Sequence, residues 1–344
     1  MALIDEIREQ PEVVDRLLRA AADEVGSACA AIRAAGPGHV IIAARGTSDH
    51  AAIYAQYALG ILARLPVGLA TPSVLSLYGV EPRMDGAVVI GISQSGASPD
   101  VVGVIRSARS QGAATLAITN SPGSDLAEAA EHVVELRAGP ERAVAATKTY
   151  TATLAALAML AAGLSDDGAG SELTALPEAL GDVLGTEDEA RRIALDQAGM
   201  DRCVVLGRGY HYATAREWAL KLKELGYVLA DPYSSADFMH GPLALIEAGF
   251  PTLAVAPRGA TQADMRAVIE RLVGELEAEL LVVSDDRDLR AMGAWALPLP
   301  EGLPEWLMPV VSIVPGQLHA LHLTRAKGRD PESPRSIGKV TRTH

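Results

Sequence analysis

Ala87-Val88-Val89-Ile90-Gly91-Ile92-Ser93-Gln94-Ser95-Gly96-Ala97-Ser98-Pro99-Asp100 passes from an apolar run straight into a cluster of hydroxyl and amide side chains. The run Ala87–Ile92 predicts a strand buried on both faces. Val101 to Arg106 predicts a helix that opens at Pro99, where a missing N–H costs nothing. Ser93, Gln94, Ser95 and Ser98 therefore fall in the turn between a strand end and a helix N-terminus. Such a turn aims backbone N–H groups and the positive end of the helix dipole at whatever it holds, which suits an anion. Gly96 admits close backbone approach. No Walker lysine follows, so a sugar phosphate is expected there rather than a nucleotide.

Outward from this turn, further short runs rich in Val, Ile, Leu and Ala recur at His39–Ala44, Ala114–Thr119, Cys203–Leu206, Thr252–Ala256 and Leu280–Ser284. Helical patterns of ten or more residues alternate with them, the signature of parallel sheets covered on both faces. The two halves resemble each other. Ala44-Arg45-Gly46 is echoed by Gly207-Arg208-Gly209 163 positions later, and at the same offset Val89–Ser98 lines up with Thr252–Thr261. An internal duplication follows. It is chemically unequal, because Ala256, Pro257 and Arg258 stand where the first half has Ser93, Gln94 and Ser95. The expected fold is α/β, with two tandem doubly wound domains of flavodoxin-like type. A helical segment occupies 1–35, the phosphate-binding domain 36–165, a connecting helix 166–198, the second domain 199–328 and an irregular tail 329–344.

The 344 residues carry a formal charge of −13, 49% apolar side chains and 4% aromatics. No basic stripe is present to neutralise nucleic-acid phosphates, so nucleic acid is not an expected partner. Cys29 and Cys203 lie in apolar runs and read as core residues of a reducing compartment. Asp5 and Glu6 stand where a signal peptide needs bases, and the apolar helix Thr151–Leu164 is too short to span a bilayer. A cytoplasmic protein without membrane contact is expected. His319 and His322 are three apart, but no third ligand accompanies them, and no metal is expected. No Rossmann fingerprint follows the first strand, so a nicotinamide cofactor is not expected.

Arg45-Gly46-Thr47-Ser48, Ser93-Gln94-Ser95-Gly96, Ala145-Ala146-Thr147-Lys148, Leu206-Gly207-Arg208-Gly209, Ala219–Glu224, His240–Leu245 and Pro334-Arg335 … Lys339 occur in an order that resembles the sugar isomerase (SIS) domain family. Within it they most resemble the isomerase half of glucosamine-6-phosphate synthase. Ile4–Leu18 resembles the segment that follows the synthase's glutaminase domain. Glutamine-dependent synthesis is therefore not expected, and the Ser98-Pro99-Asp100 ending looks like stand-alone aminosugar-phosphate deaminases and isomerases. The resemblance implies roles residue by residue. Ser93, Gln94, Ser95 and Ser98 hold phosphate together with Thr47 and Ser48, while Gly46, Val144 and Ala146 touch the sugar. Glu224 is the base that moves a proton between C1 and C2. Lys221, three residues earlier on the same helix face, accompanies it. His240 opens the ring from the site of a neighbouring subunit, which implies a homodimer, and Lys339 is the lysine that forms a Schiff base with open-chain ketose.

Three positions depart from the synthase pattern: Ala146 replaces a serine, Asp237 a glutamate and Arg45 a cysteine. They leave the C2 substituent open. The expected reaction is isomerising deamination of a phosphorylated amino sugar, glucosamine 6-phosphate plus water giving fructose 6-phosphate and ammonia. It needs no cofactor, because the substrate's carbonyl and amine act as electron sink. The alternatives are dehydration of N-acetylglucosamine 6-phosphate through the same base, plain ketose–aldose isomerisation, and a sugar-phosphate sensor without catalysis.

Overall fold

A computed structural model describes residues 2–166 and 168–339. They form two compact units: one holds 12–141, 148–174 and 338–339, the other 2–11, 142–147 and 175–337. Residues 340–344 of the expected tail lie outside the described residues.

The first unit is built on a five-stranded sheet of β1 (His39–Ala43), β2 (Val67–Leu69), β3 (Ala87–Ile92), β4 (Ala114–Thr119) and β5 (His132–Glu135), in the order β2-β1-β3-β4-β5. Every pairing is parallel. All six residues of β3 are buried, which explains its unbroken apolar run. Gly91 is required by packing: a Cβ there would lie 2.8 Å from both Ile105 Cγ1 and Leu126 Cδ1. The helix Pro99–Ser110 thus rests directly on the strand that feeds it. One core face is formed by Val89, Val101, Ile105, Ala117 and Leu126.

The second unit repeats the plan with β6 (Arg202–Gly207), β7 (Leu229–Ser234), β8 (Pro251–Val255), β9 (Glu279–Ser284) and β10 (Trp295–Pro298), in the order β10-β9-β8-β6-β7. Counted from each unit's own first strand, both sheets read 2-1-3-4-5, the flavodoxin-like order. The doubly wound α/β class and its duplication therefore hold. Strands β2, β5, β7 and β10 have no counterpart in the apolar runs of the sequence because they are the sheet edges. β7 even carries Asp231 and Pro232, residues that edge strands tolerate. The apolar helix begins earlier than Thr151, at Lys148, and runs to Leu164. Among the described residues no helix is long and apolar enough to cross a membrane.

In the second unit the helix Met308–Ala326 is buried along most of its length. His319 is one of its anchors: Nδ1 accepts from Trp218 Nε1 at 3.3 Å, and Nε2 meets Gln197 Oε1 at 2.8 Å. The fold gives His319 structural partners on both ring nitrogens.

Two stability predictions follow from this packing. A Cβ at Gly316 would approach Trp218 Cγ to 2.8 Å, so Gly316→Ala should cost about 1–3 kcal/mol in urea unfolding. Gly181, in the helix Leu176–Leu184, has nothing within 4 Å, and Gly181→Ala should instead stabilise by roughly 0.5–1 kcal/mol. The second prediction concerns acid. Burial pushes the imidazoles of His319 and His211 down to about 3. The unfolded chain takes up those protons below ~6.5 while the folded chain does not. Their contribution is therefore whole above ~6.5 and is lost as pH falls toward 3, by about 1.4 kcal/mol per pH unit for each histidine. Unfolding free energy measured across this range should fall, and His319→Gln should flatten the slope by roughly one bound proton.

Candidate active site

The turn after β3 is folded on itself. Ser93 N extends the strand pairing by donating to Ile118 O at 3.2 Å, and Ser93 Oγ in turn accepts from Gly96 N at 3.2 Å. Ser95 Oγ accepts from Ala97 N at 3.3 Å. Gly96 has φ +63°, and a Cβ there would stand 1.9 Å from Ser124 Oγ, so glycine is obligatory on two counts. Ser98 occupies the N-cap position of Pro99–Ser110, yet its side chain makes no capping bond; its hydroxyl lies 3.4 Å from that of Ser93. The serines thus form one hydroxyl cluster at a helix N-terminus rather than a simple cap. Gln94, Ser95 and Ser98 are half-buried and Ser93 is buried.

Gly46, Thr47 and Ser48 follow the end of β1, the strand beside β3. Gly46 adopts φ +55°, and Thr47 opens the helix Thr47–Leu62. β1 and β3 are neighbours in the sheet, and the chain leaves β1 for β2 on one side and β3 for β4 on the other. That is the topological switch point where open parallel sheets take ligands. Asp100, buried at the start of its helix, accepts from Arg45 Nε at 2.7 Å. Lys339 belongs to the same unit, where its Nζ donates to Glu141 Oε2 at 2.6 Å. Glu141 is fixed in turn by Thr149 N (3.1 Å) and Thr149 Oγ1 (2.8 Å), at the start of Lys148–Leu164.

Glu224 lies in the second unit. The helix His211–Lys221 continues into a single π turn, Leu222–Gly226, which Tyr227 closes in the left-handed conformation at φ +52°. π turns inside helices are frequent at functional sites. Lys221 Nζ lies 2.6 Å from Glu224 Oε2 and 3.2 Å from Glu217 Oε1. The Lys221 and Glu217 side chains are 1% and 0% exposed, and that of Glu224 is 23% exposed. Burial disfavours the Lys221 ammonium, but the charges of Glu217 and Glu224 outweigh it and hold its pKa above the ordinary lysine range. The Tyr227 ring carries Arg329 and Arg335 over it, at 4.5 and 4.2 Å, and its hydroxyl accepts from Arg335 N at 2.8 Å. His240 is exposed directly after the short helix Ser235–Met239, its backbone N–H donating to Asp237 O at 3.1 Å. Val144 and Ala146 are half-buried in the strand-free segment 142–147, which belongs to this unit. Glu6 holds that segment by accepting from Ala143 N.

Ser93, Gln94, Ser95, Ser98, Gly46, Thr47, Ser48 and Lys339 thus share one unit; Lys221, Glu224, His240, Val144 and Ala146 share the other. Three partners escaped sequence reading. Glu217 stands four residues before Lys221 and could have been found from helical spacing. Glu141 meets Lys339 across 198 positions and Asp100 meets Arg45 across 55, separations without local signal. The second repeat offers an internal comparison. Its turn after β8 keeps Gly259, but Glu305 fills it: Ala260 N donates to Glu305 Oε2 at 2.8 Å, and a Cβ on Gly259 would meet Glu305 Cδ at 2.1 Å. Where the first repeat presents hydroxyls, the second already holds a carboxylate.

Comparison with known proteins agrees with this construction. Residues 35–163 and 198–293 match the SIS domain model. A glutamine–fructose-6-phosphate aminotransferase (isomerizing) of Pyrococcus horikoshii is 37% identical over 310 residues, which is 87% of this chain and 51% of that protein. The chain spans about half the length of the curated relatives it matches. Among solved structures, a protein of Silicibacter pomeroyi DSS-3 provisionally classed as a phosphosugar isomerase superposes with a TM-score of 0.86 at 34% identity, covering 96% of this chain and 99% of its own. The C-terminal domain of glucosamine-fructose-6-phosphate aminotransferase from Francisella tularensis gives 0.87 at 29% identity, covering 97% and 98%. With a match that takes in most strands of both sheets, the chain belongs to the SIS domain family.

Proposed function

We propose that this chain isomerises a phosphosugar by moving a proton between C2 and C1, and that its substrate is glucosamine 6-phosphate, released as fructose 6-phosphate and ammonia. The observation that carries this reading is the Glu217–Lys221–Glu224 cluster, in which a carboxylate on a π turn stands 2.6 Å from a buried ammonium. A binding protein has no use for that arrangement, whereas a carbon acid needs a base beside a fixed positive charge. Glu224 takes the C2 proton of the open-chain aldose, leaving an enolamine, and returns it to C1. The resulting C2 imine adds water and expels ammonia, so that the hydrolysis accounts for every atom. Lys221, held protonated, steadies negative charge developing on oxygen and is not itself the base. Lys339, paired with Glu141, assists loss of nitrogen. The turn Ser93–Ser98, with Thr47 and Ser48, anchors phosphate; Gly46, Val144 and Ala146 face the sugar. His240 opens the ring, given by the partner copy of a cytoplasmic homodimer.

The test is proton NMR in deuterated water, with ammonia assayed in parallel. Glucosamine 6-phosphate should lose its C2–H signal and yield fructose 6-phosphate and ammonia, and Glu224→Gln should slow this by about 10²–10⁴-fold. Exchange on glucose or fructose 6-phosphate without ammonia from the amino sugar would replace the deaminase by a plain isomerase. A vinylic product from N-acetylglucosamine 6-phosphate would make the chain a lyase. Exchange with none of these sugars would overturn the enzymatic reading.

A further inference from the structure

Every side-chain donor in the turn Ser93–Ser98 is neutral, and the buried acid that directly follows it is Asp100. Its carboxylate is 1% exposed and stands at the start of Pro99–Ser110, where an incoming anion would also be favoured. Oδ1 accepts from Val101 N at 2.9 Å and Oδ2 from Arg45 Nε at 2.7 Å. An unneutralised carboxylate there would repel phosphate. Arg45 removes that problem and does more. It directly precedes Gly46, so its contact with Asp100 ties the loop after β1 to the helix after β3, the two loops that border the switch point.

The arginine side chain is 47% exposed. One of its five N–H donors is committed to Asp100, and Nη1 and Nη2 hydrogen-bond nothing among the described residues. A guanidinium anchored through Nε presents its two terminal amino groups as a fork, the geometry that recognises phosphate oxygens. We propose that Arg45, oriented by Asp100, is the charged contact of the phosphate site and selects phosphorylated over unphosphorylated sugars. The proposal rests on the reading of Ser93–Ser98 as that site, and deepens it by naming a charge that the hydroxyl cluster lacks.

The experiment is calorimetric titration of the full chain with glucose 6-phosphate and with inorganic phosphate, at low and at high sodium chloride. Arg45→Ala leaves Asp100 unpaired and risks the fold, so the deciding variant is Arg45→Met with Asp100→Asn, a neutral pair of similar size. It should fold as wild type, bind both ligands about tenfold more weakly or worse, and show a shallower salt dependence. Loss of a purely structural tie would not change the salt slope. Arg45→Lys with Asp100 intact should keep part of the salt dependence and lose affinity, because ammonium offers no planar fork. Ser95→Ala separates the two levels of the argument. If wild type binds, Ser95→Ala weakens binding and the neutral pair matches wild type in affinity and salt slope, the role of Arg45 is wrong while the site stands. If wild type binds neither ligand, the site itself is wrong.

Discussion

No side chain fits at Gly91, and much of the first unit follows from that. With 2.8 Å between an added Cβ and both Ile105 and Leu126, the helix Pro99–Ser110 must lie against β3 itself. The connection between them is therefore short and tight, and Gly96 is pressed onto Ser124 with no freedom to swing away. Ser93 and Ser98 are brought to 3.4 Å because both ends of the turn are fixed by packing, not because the hydroxyls attract one another strongly. Gly207 obeys the same rule in the second unit, where a Cβ would stand 2.2 Å from His211 O. In both repeats, strand-on-helix contact determines how the first turn of the helix meets the loop before it.

On this common frame the repeats have diverged by charge. The first turn carries hydroxyls and an exterior guanidinium; the second carries the chain's own Glu305 carboxylate on Ala260 N. A turn at the carboxyl end of a parallel sheet accepts an anion by virtue of its N–H groups and helix dipole. The second repeat satisfies that capacity internally, and the first leaves its hydroxyls half-buried at the switch point. The unequal loop residues, Ser93-Gln94-Ser95 against Ala256-Pro257-Arg258, record this difference in the sequence itself.

Central strands were legible because burial on both faces demands uninterrupted Val, Ile and Leu, as in β3. Edge strands were not: β7 needs only one neighbour, β6, and tolerates Asp231 and Pro232. The hydroxyl-rich turn was readable as a local motif, and Lys221 with Glu224 as a helical pair. The π turn at Leu222–Gly226 was invisible, since its residues are ordinary helix formers and the extra width arises from how the helix ends at Tyr227. Glu141 and Asp100 were invisible for another reason. Each is an acid that would pass for surface in sequence, and each is buried only because the topology brings a distant cation to it.

The cluster around Lys221 decides which group can exchange protons. Glu217 and Glu224 both flank the Lys221 ammonium, which gives a buried charge the counter-ions it needs. Glu217 is fully buried, whereas the Glu224 side chain is 23% exposed at the helix end. Releasing the Lys221 proton would leave two carboxylates flanking a neutral amine, which those charges oppose. The lysine proton is therefore held, and Glu224 is the member of the cluster that is open to solvent. An ammonium fixed 2.6 Å away would also steady the negative charge that a carbon acid develops as it loses its proton. Glu217 is closed to solvent, and its charge helps to hold the Lys221 proton in place.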